Sequence, residues 1–311
     1  MKPRSPGWVL TVALLGISFA GPLVRLSAAD PLAIAVWRLG FSLIIVAGFL
    51  IRSGEWRQWR TLSRRDAVLA ASAGIALALH FWAWNASIHL TTIAASVTLV
   101  NLQPAIIVGI SAAFLHEAPT SRQLFGIVLA IAGAVVIAVP DLGSGRAILT
   151  DRASLGNLLA VSAAVTAAVY YTIGRFMRAS YGIWAYVGLA YCACFVALLV
   201  FAAVSRLPLG PQPPRELGIF AALAIGPMLL GHTGLNYALK FLPAYVVNLT
   251  VLGEPVGATL LGAILPGIRQ IPTPMTLLGG AIILTGVLVA ARGSALRPAT
   301  FGGKGEELGD Q

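Results

Sequence analysis

The sequence predicts an all-α polytopic membrane protein of ten transmembrane helices arranged as two inverted five-helix repeats, and three observations carry that prediction. The chain of 311 residues is 58% hydrophobic and 10% charged, where a soluble domain is about one-quarter charged. Nearly all of it is taken up by ten apolar stretches, each within the roughly 17–25 residues needed to cross about 30 Å of hydrocarbon. Part of it also repeats. Residues 85–104, centred on Ala95-Ser96-Val97-Thr98-Leu99-Val100-Asn101-Leu102-Gln103-Pro104, realign without a gap on residues 236–255, centred on Val246-Val247-Asn248-Leu249-Thr250-Val251-Leu252-Gly253-Glu254-Pro255. The offset of 151 superimposes Asn85 on Asn236, Val100 on Val251 and Pro104 on Pro255, and a two-residue shift further on brings Pro119-Thr120 onto Pro272-Thr273, Gly126 onto Gly279 and Gly133 onto Gly286. With an odd number of spans per copy, the second copy sits upside down in the bilayer.

The spans follow in order. The first, 8–27, lies between Lys2/Arg4 and Leu26-Ser27-Ala28-Ala29, a pattern shared with cleaved signal peptides; its counterpart at 155–175 argues that it is retained. The second, 31–51, carries Trp37-Arg38. The third, 67–90, places His80 and Trp84 four residues apart, on one helix face. The fourth, 94–115, holds Asn101 and Gln103-Pro104, and Pro104 frees the carbonyl of Val100. The fifth, 121–139, has Gly126 and Gly133, and the tenth, 275–292, has Gly279 and Gly286; small residues at seven-residue spacing let helices approach closely, within the copy or between subunits. The sixth, 155–175, ends near Tyr170 and Tyr171. The seventh, 184–205, contains Cys192 and Cys194, which point in different directions and read as packing residues. The eighth, 216–239, holds His232 and Asn236. The ninth, 244–265, holds Asn248 and Glu254-Pro255, with Val251 as the freed carbonyl. The units are therefore 1–146, 147–292 and a Gly-rich polar tail, 293–311, expected to be disordered.

Charge orients this arrangement. The net charge of +10 is spread between apolar runs instead of forming one basic face with interleaved aromatics, which argues against nucleic acid. With a cytoplasmic N-terminus, fourteen of the 21 Lys and Arg fall on the cytoplasmic side, among them the Arg52–Arg65 group, and six fall outside. The positive-inside rule is met with both termini in the cytoplasm of a cell inner membrane.

The Glu117-Ala118-Pro119-Thr120 step into Gln123-x-x-Gly126, with two five-helix copies over about residues 8–292, resembles the EamA-type branch of the drug/metabolite transporter superfamily. Trp37-Arg38, Asn101-x-Gln103-Pro104 and Gly253-Glu254-Pro255 look most like its amino-acid exporters, including the YddG-like aromatic and neutral amino-acid exporters. The second copy has Gln270 where the first has Glu117, and no arginine in the seventh span matches Arg38. The resemblance implies secondary export of small metabolites such as neutral or aromatic amino acids, by alternating access through a cavity between the copies. It implies no cofactor or metal, and a monomer or weak homodimer in the lipid bilayer.

The residues supply a site of that kind. Glu254 is the only acidic residue well inside a span; an ionised group there costs about 2.5–3.5 kcal/mol, so it faces a cavity or a partner, or is protonated. It is either a structural group bonding a freed carbonyl beside Pro255 or a substrate-facing, titrating one. Gln103, its repeat mate, completes a polar midplane layer. Arg38 is the candidate for a substrate carboxylate, unless it snorkels to the outer interface. Trp37, His80, Trp84 and Asn101 form an outer cluster, which Tyr170, Tyr171, His232 and Asn248 mirror toward the cytoplasm. Asn85 and Asn236 are assigned to helix packing, and Pro104 and Pro255 are hinges or simple kinks. A membrane-embedded protease would need His-Glu-x-x-His, or Gly-x-Ser-x-Gly with histidine, and neither is present. A passive channel would call for rings of charge from several subunits.

Overall fold

The computed structural model describes residues 6–91, 93–110, 119–143, 151–269 and 274–294, and among them it is helical with no strand. The helices are α1 (Pro6–Ser18), α2 (Ala20–Leu26), α3 (Pro31–Ser53), α4 (Arg64–Leu90), α5 (Ile93–Val100), α6 (Gln103–Ile110), α7 (Ser121–Gly143), α8 (Asp151–Ser180), α9 (Ile183–Val204), α10 (Pro214–Leu223), α11 (Gly234–Ala238), α12 (Ala244–Leu249), α13 (Glu254–Ile264) and α14 (Pro274–Ser294). Among the described residues, seven stretches are long and apolar enough to span a membrane: 7–26, 31–53, 64–90, 155–180, 183–204, 214–238 and 244–264. Of the other three expected spans, 94–115 runs into residues 111–118, outside the described set, and 121–139 and 275–292 contain the shorter apolar helices Ser121–Gly133 and Leu277–Gly286. Glu117, Gln270 and the expected tail from residue 295 onward lie outside the described residues, whereas Gly293 and Ser294 still belong to α14.

Local chemistry sets the ends and breaks. The Asp30 carboxylate accepts from the Leu32 N–H at 2.8 Å and Pro31 opens α3, a cap and a first-turn proline that each satisfy or remove an orphan donor. Gly54, at φ 70°, closes that helix in the left-handed conformation glycine adopts cheaply. Ser63 caps α4 by accepting from Asp66 N–H at 3.0 Å. Two helical stretches are interrupted at matched places: a turn at Asn101–Leu102 separates α5 from α6, and a 3-10 stretch, Thr250–Gly253, separates α12 from α13. Each second piece starts with a polar residue followed by proline, Gln103-Pro104 and Glu254-Pro255, because a proline in the first turn needs no hydrogen-bond partner for its nitrogen. Between α10 and α11 the chain widens into a π-helix, Ala224–Thr233, with Pro227 inside it.

The most extensive helix–helix seam among the described residues joins α7 and α14. A Cβ at Gly133 would lie 2.7 Å from the Gly279 carbonyl oxygen, and one at Gly286 would lie 2.6 Å from both the Gly126 oxygen and the Ala130 nitrogen. The glycine stripes are thus used against each other across the two halves of one chain, a pairing that packing within a copy does not describe. Gly133→Val is expected to destabilise the protein by about 1–3 kcal/mol or more through overpacking against backbone, seen as a lower unfolding midpoint in detergent. Gly48→Val is the control, since nothing lies within 4 Å of a Cβ there; equal midpoints for the two variants would show that the seam tolerates side chains.

Elsewhere α4 packs on α8 and α9, α3 on α9, and α1 on the π-helix, α11 and α13. At one end, Glu216 at the start of α10 accepts from Ser27 Oγ and the Ala28 N–H, and Arg215 donates to the Leu26 carbonyl at 2.8 Å. At another connection, the Glu55 carboxylate accepts from the N–H groups of Trp184 (2.8 Å) and Ala185 (3.0 Å), Gln58 accepts from Gly182, and Tyr181 donates to Asp66 at 2.8 Å. Glu55 thereby satisfies the open N-terminus of α9 from a distant loop. A side chain at Gly182 would overlap that carboxylate.

Candidate functional site

The interrupted segments meet around a narrow central cavity of about 40 Å³, well below the roughly 300–1,000 Å³ of open small-molecule sites. Seven of the sequence-selected residues line it: Arg38 from α3, His80 and Trp84 from α4, Gln103 from α6, Tyr171 from α8, His232 from the π-helix and Glu254 from α13. Ile17, Ala20, Phe81, Val100, Pro227, Leu235 and Val251 complete the wall.

Arg38 is 1% exposed; it does not snorkel. Its guanidinium carbon lies 3.8 Å from the centre of the Phe81 ring, and Nη2 points at the Met228 sulfur at 3.9 Å. Among the described residues, Nε and Nη1 have no hydrogen-bond partner, and neither has Trp84 Nε1. Burying an ion costs several kcal/mol even after relaxation, whereas a desolvated cation–π contact returns about 2 kcal/mol. The shortfall leaves a cation and an indole N–H on one cavity with unused donors.

Glu254 is buried at the first position of α13, where the positive end of the helix favours a carboxylate. Among the described residues no hydrogen bond or ion pair holds its carboxylate; Arg38 acts on it electrostatically across the cavity. The structural alternative, a glutamate bonded to a freed carbonyl beside Pro255, is not the arrangement seen. Gln103 instead is engaged, donating from Nε2 to Asn248 Oδ1. His80 Nδ1 meets the Ala163 carbonyl at 2.9 Å, and Tyr171 shares a 2.9 Å hydrogen bond with His232 Nδ1.

Four selected residues do not reach the cavity wall. Trp37 points away from it: Nε1 donates to the Leu209 carbonyl at 2.7 Å, the ring stacks on Phe220, and it borders a separate apolar groove with Phe41 and Phe195. Asn101 is buried and donates back to Val97 at 2.7 Å. Tyr170 stands behind Tyr171, accepting from Asn236 Nδ2 at 2.6 Å. Asn248 donates to Ala244 and reaches the site only through Gln103. The outer cluster of the sequence reading is therefore corrected to Arg38, His80 and Trp84, because neighbours on a helix point about 100° apart and Trp37 and Arg38 cannot share one face. Asn85 donates to the Pro31 carbonyl at 3.0 Å and Asn236 to Tyr170 and His232, so both bridge helices as expected. Phe81, the platform under Arg38, was not singled out from the sequence, since an aromatic in an apolar run gives no separate signal.

Membrane-length apolar helices bundled around a charged central cavity are the architecture of a polytopic membrane protein. The chain belongs to the EamA-like transporter family, whose profile matches residues 7–139 and again 154–292. It is 26% identical over 283 residues to an uncharacterized transporter of Archaeoglobus fulgidus, covering 91% of this chain and 96% of that one. It is 25% identical over 301 residues to a protein of Streptantibioticus cattleyicolor named a "probable terminal-alkyne amino-acid exporter", covering 94% and 95%. A solved crystal structure shares the fold with a TM-score of 0.75 at 20% identity, over 94% of this chain and 98% of that one.

Proposed function

We propose that this protein is a secondary transporter that exports neutral or aromatic amino acids by alternating access. Ten spans in two inverted repeats, 1–146 and 147–292, surround the cavity, and the interruptions at Pro104 and Pro255 serve as hinges. The observation that carries the reading is Arg38: a fully buried guanidinium with two unused donors, beside the unused Trp84 N–H, in a cavity built where two helices break. A carboxylate is the group such a fork binds bidentately. The amino-acid exporter among its relatives supports the same class. The α7 and α14 glycine stripes are spent within the chain, consistent with a monomer or weak homodimer. The test is counterflow of labelled amino acids into proteoliposomes holding the purified protein; trans-accelerated uptake of neutral or aromatic amino acids is expected, and none with any amino acid would overturn the reading.

Orientation has its own test. Both termini are assigned to the cytoplasm of the inner membrane, so an impermeant thiol reagent applied to intact cells should label Ser205→Cys and spare Ser53→Cys, both at exposed positions. The reverse pattern would invert the assignment.

A further inference from the structure

Resting on the export reading, we infer that the cavity recognises its substrate as a zwitterion, with Arg38 and Trp84 taking the carboxylate and Glu254 taking the ammonium, so that the two charges set specificity for net-neutral α-amino acids. The two charges arise from different halves of the chain, line one cavity and are not joined to each other by an ion pair. Arg38 and Trp84, the latter one turn along α4 from the Phe81 ring under Arg38, leave three donor nitrogens unused, and Glu254 offers an acceptor that no described protein group occupies. An amine alone would leave the donors unmet, and an acid alone would leave Glu254 facing nothing. A molecule carrying both groups meets both needs, because each buried charge then gains an opposite partner. The rest of the wall is uncharged side chains, apolar at Phe81, Val100, Leu235 and Val251 and polar at Gln103 and Tyr171, and among the described residues Arg38 and Glu254 are its only Lys, Arg, Asp or Glu. A charged substrate side chain would therefore enter without a counter-ion, which is costly in a closed site.

The experiment compares a neutral amino acid with analogues that delete one charge at a time. Phenylalanine, phenylalaninamide and N-acetylphenylalanine, with the leucine series in parallel, are tested as competitors of counterflow and as ligands that raise the unfolding midpoint of the purified full-length protein. The amide and the N-acetyl compound are expected to bind about tenfold or more weakly than the amino acid, the cost of losing one charge-assisted contact. In Glu254→Gln the discrimination against the N-acetyl compound should shrink while that against the amide persists; in Arg38→Met the reverse should hold. The wild-type comparison does not depend on either variant folding. Exchange of the amino acids without discrimination between the analogues, or discrimination unchanged in both variants, overturns the zwitterion assignment alone. Absence of exchange and of protection with every amino acid overturns the export reading and this one with it.

Discussion

Arg38→Met should reduce amino-acid exchange about a hundredfold while leaving the protein as stable as before, or more so. Two charge-assisted hydrogen bonds to a carboxylate, at roughly 1.5 kcal/mol each, amount to about 3 kcal/mol, or a factor of about 100. The folded state without substrate gains in the same substitution, because the guanidinium is buried with two of its three nitrogens unpartnered and methionine fills most of the stem volume beside Phe81 without a charge to desolvate. Opposite signs for function and stability are the signature of a group kept for binding. Arg38→Lys should not rescue, since an ammonium lacks the planar fork. Both quantities come from one preparation: exchange in proteoliposomes and the unfolding midpoint in detergent. A variant that transports normally, or loses transport only because it fails to fold, would make Arg38 a structural residue.

Glu254→Gln should remove the pH dependence of transport. The groups facing this carboxylate across the cavity are Arg38, His80, His232 and Tyr171, and Glu254 is the only carboxyl among them. When it is ionised it can hold an ammonium; when protonated it cannot, so apparent affinity for the amino acid should fall as pH is lowered through its titration. Glutamine keeps the shape and hydrogen-bonding capacity and reproduces the residue at the matched position, Gln103, so a purely structural glutamate would tolerate it. Initial rates at several pH values for both proteins decide the matter. A wild-type profile that changes with pH and flattens in the variant supports a titrating role, whereas coincident profiles and rates reduce Glu254 to scaffold and favour facilitated diffusion.

The parts of this protein legible in the sequence were those marked by residues with hard physical constraints. Proline and glycine fixed the ends and breaks of helices, so Gln103-Pro104 and Glu254-Pro255 were placed together, and the cost of charge in lipid directed attention to Arg38 and Glu254. What the sequence left open was azimuth. Trp37 and Arg38, and Tyr170 and Tyr171, are adjacent in sequence and equally polar or aromatic; in each pair one residue lines the cavity and the other packs behind it. Apolar helices surrounded by lipid and by each other carry little amphipathic pattern from which to read that rotation. The widened turn at Pro227 was unreadable for a related reason: a proline announces a lost hydrogen bond, but neighbouring helices decide whether the chain kinks or winds a π-helix.

The α7–α14 seam has a mechanical consequence. Its two helices come one from each half of the chain and touch backbone to backbone at the glycines, with Ala130 and Ile283 packed tightly beside them, which leaves little side-chain volume to re-pack as one slides along the other. Large relative travel at that line would open voids that a close-packed interface cannot refill. Under the alternating-access reading, displacement between the halves would grow with distance from the seam, as a door swings widest opposite its post, so the helices farthest from that line would travel most. Lengthening the lever there, not loosening the post, is how such a molecule would gain a wider opening.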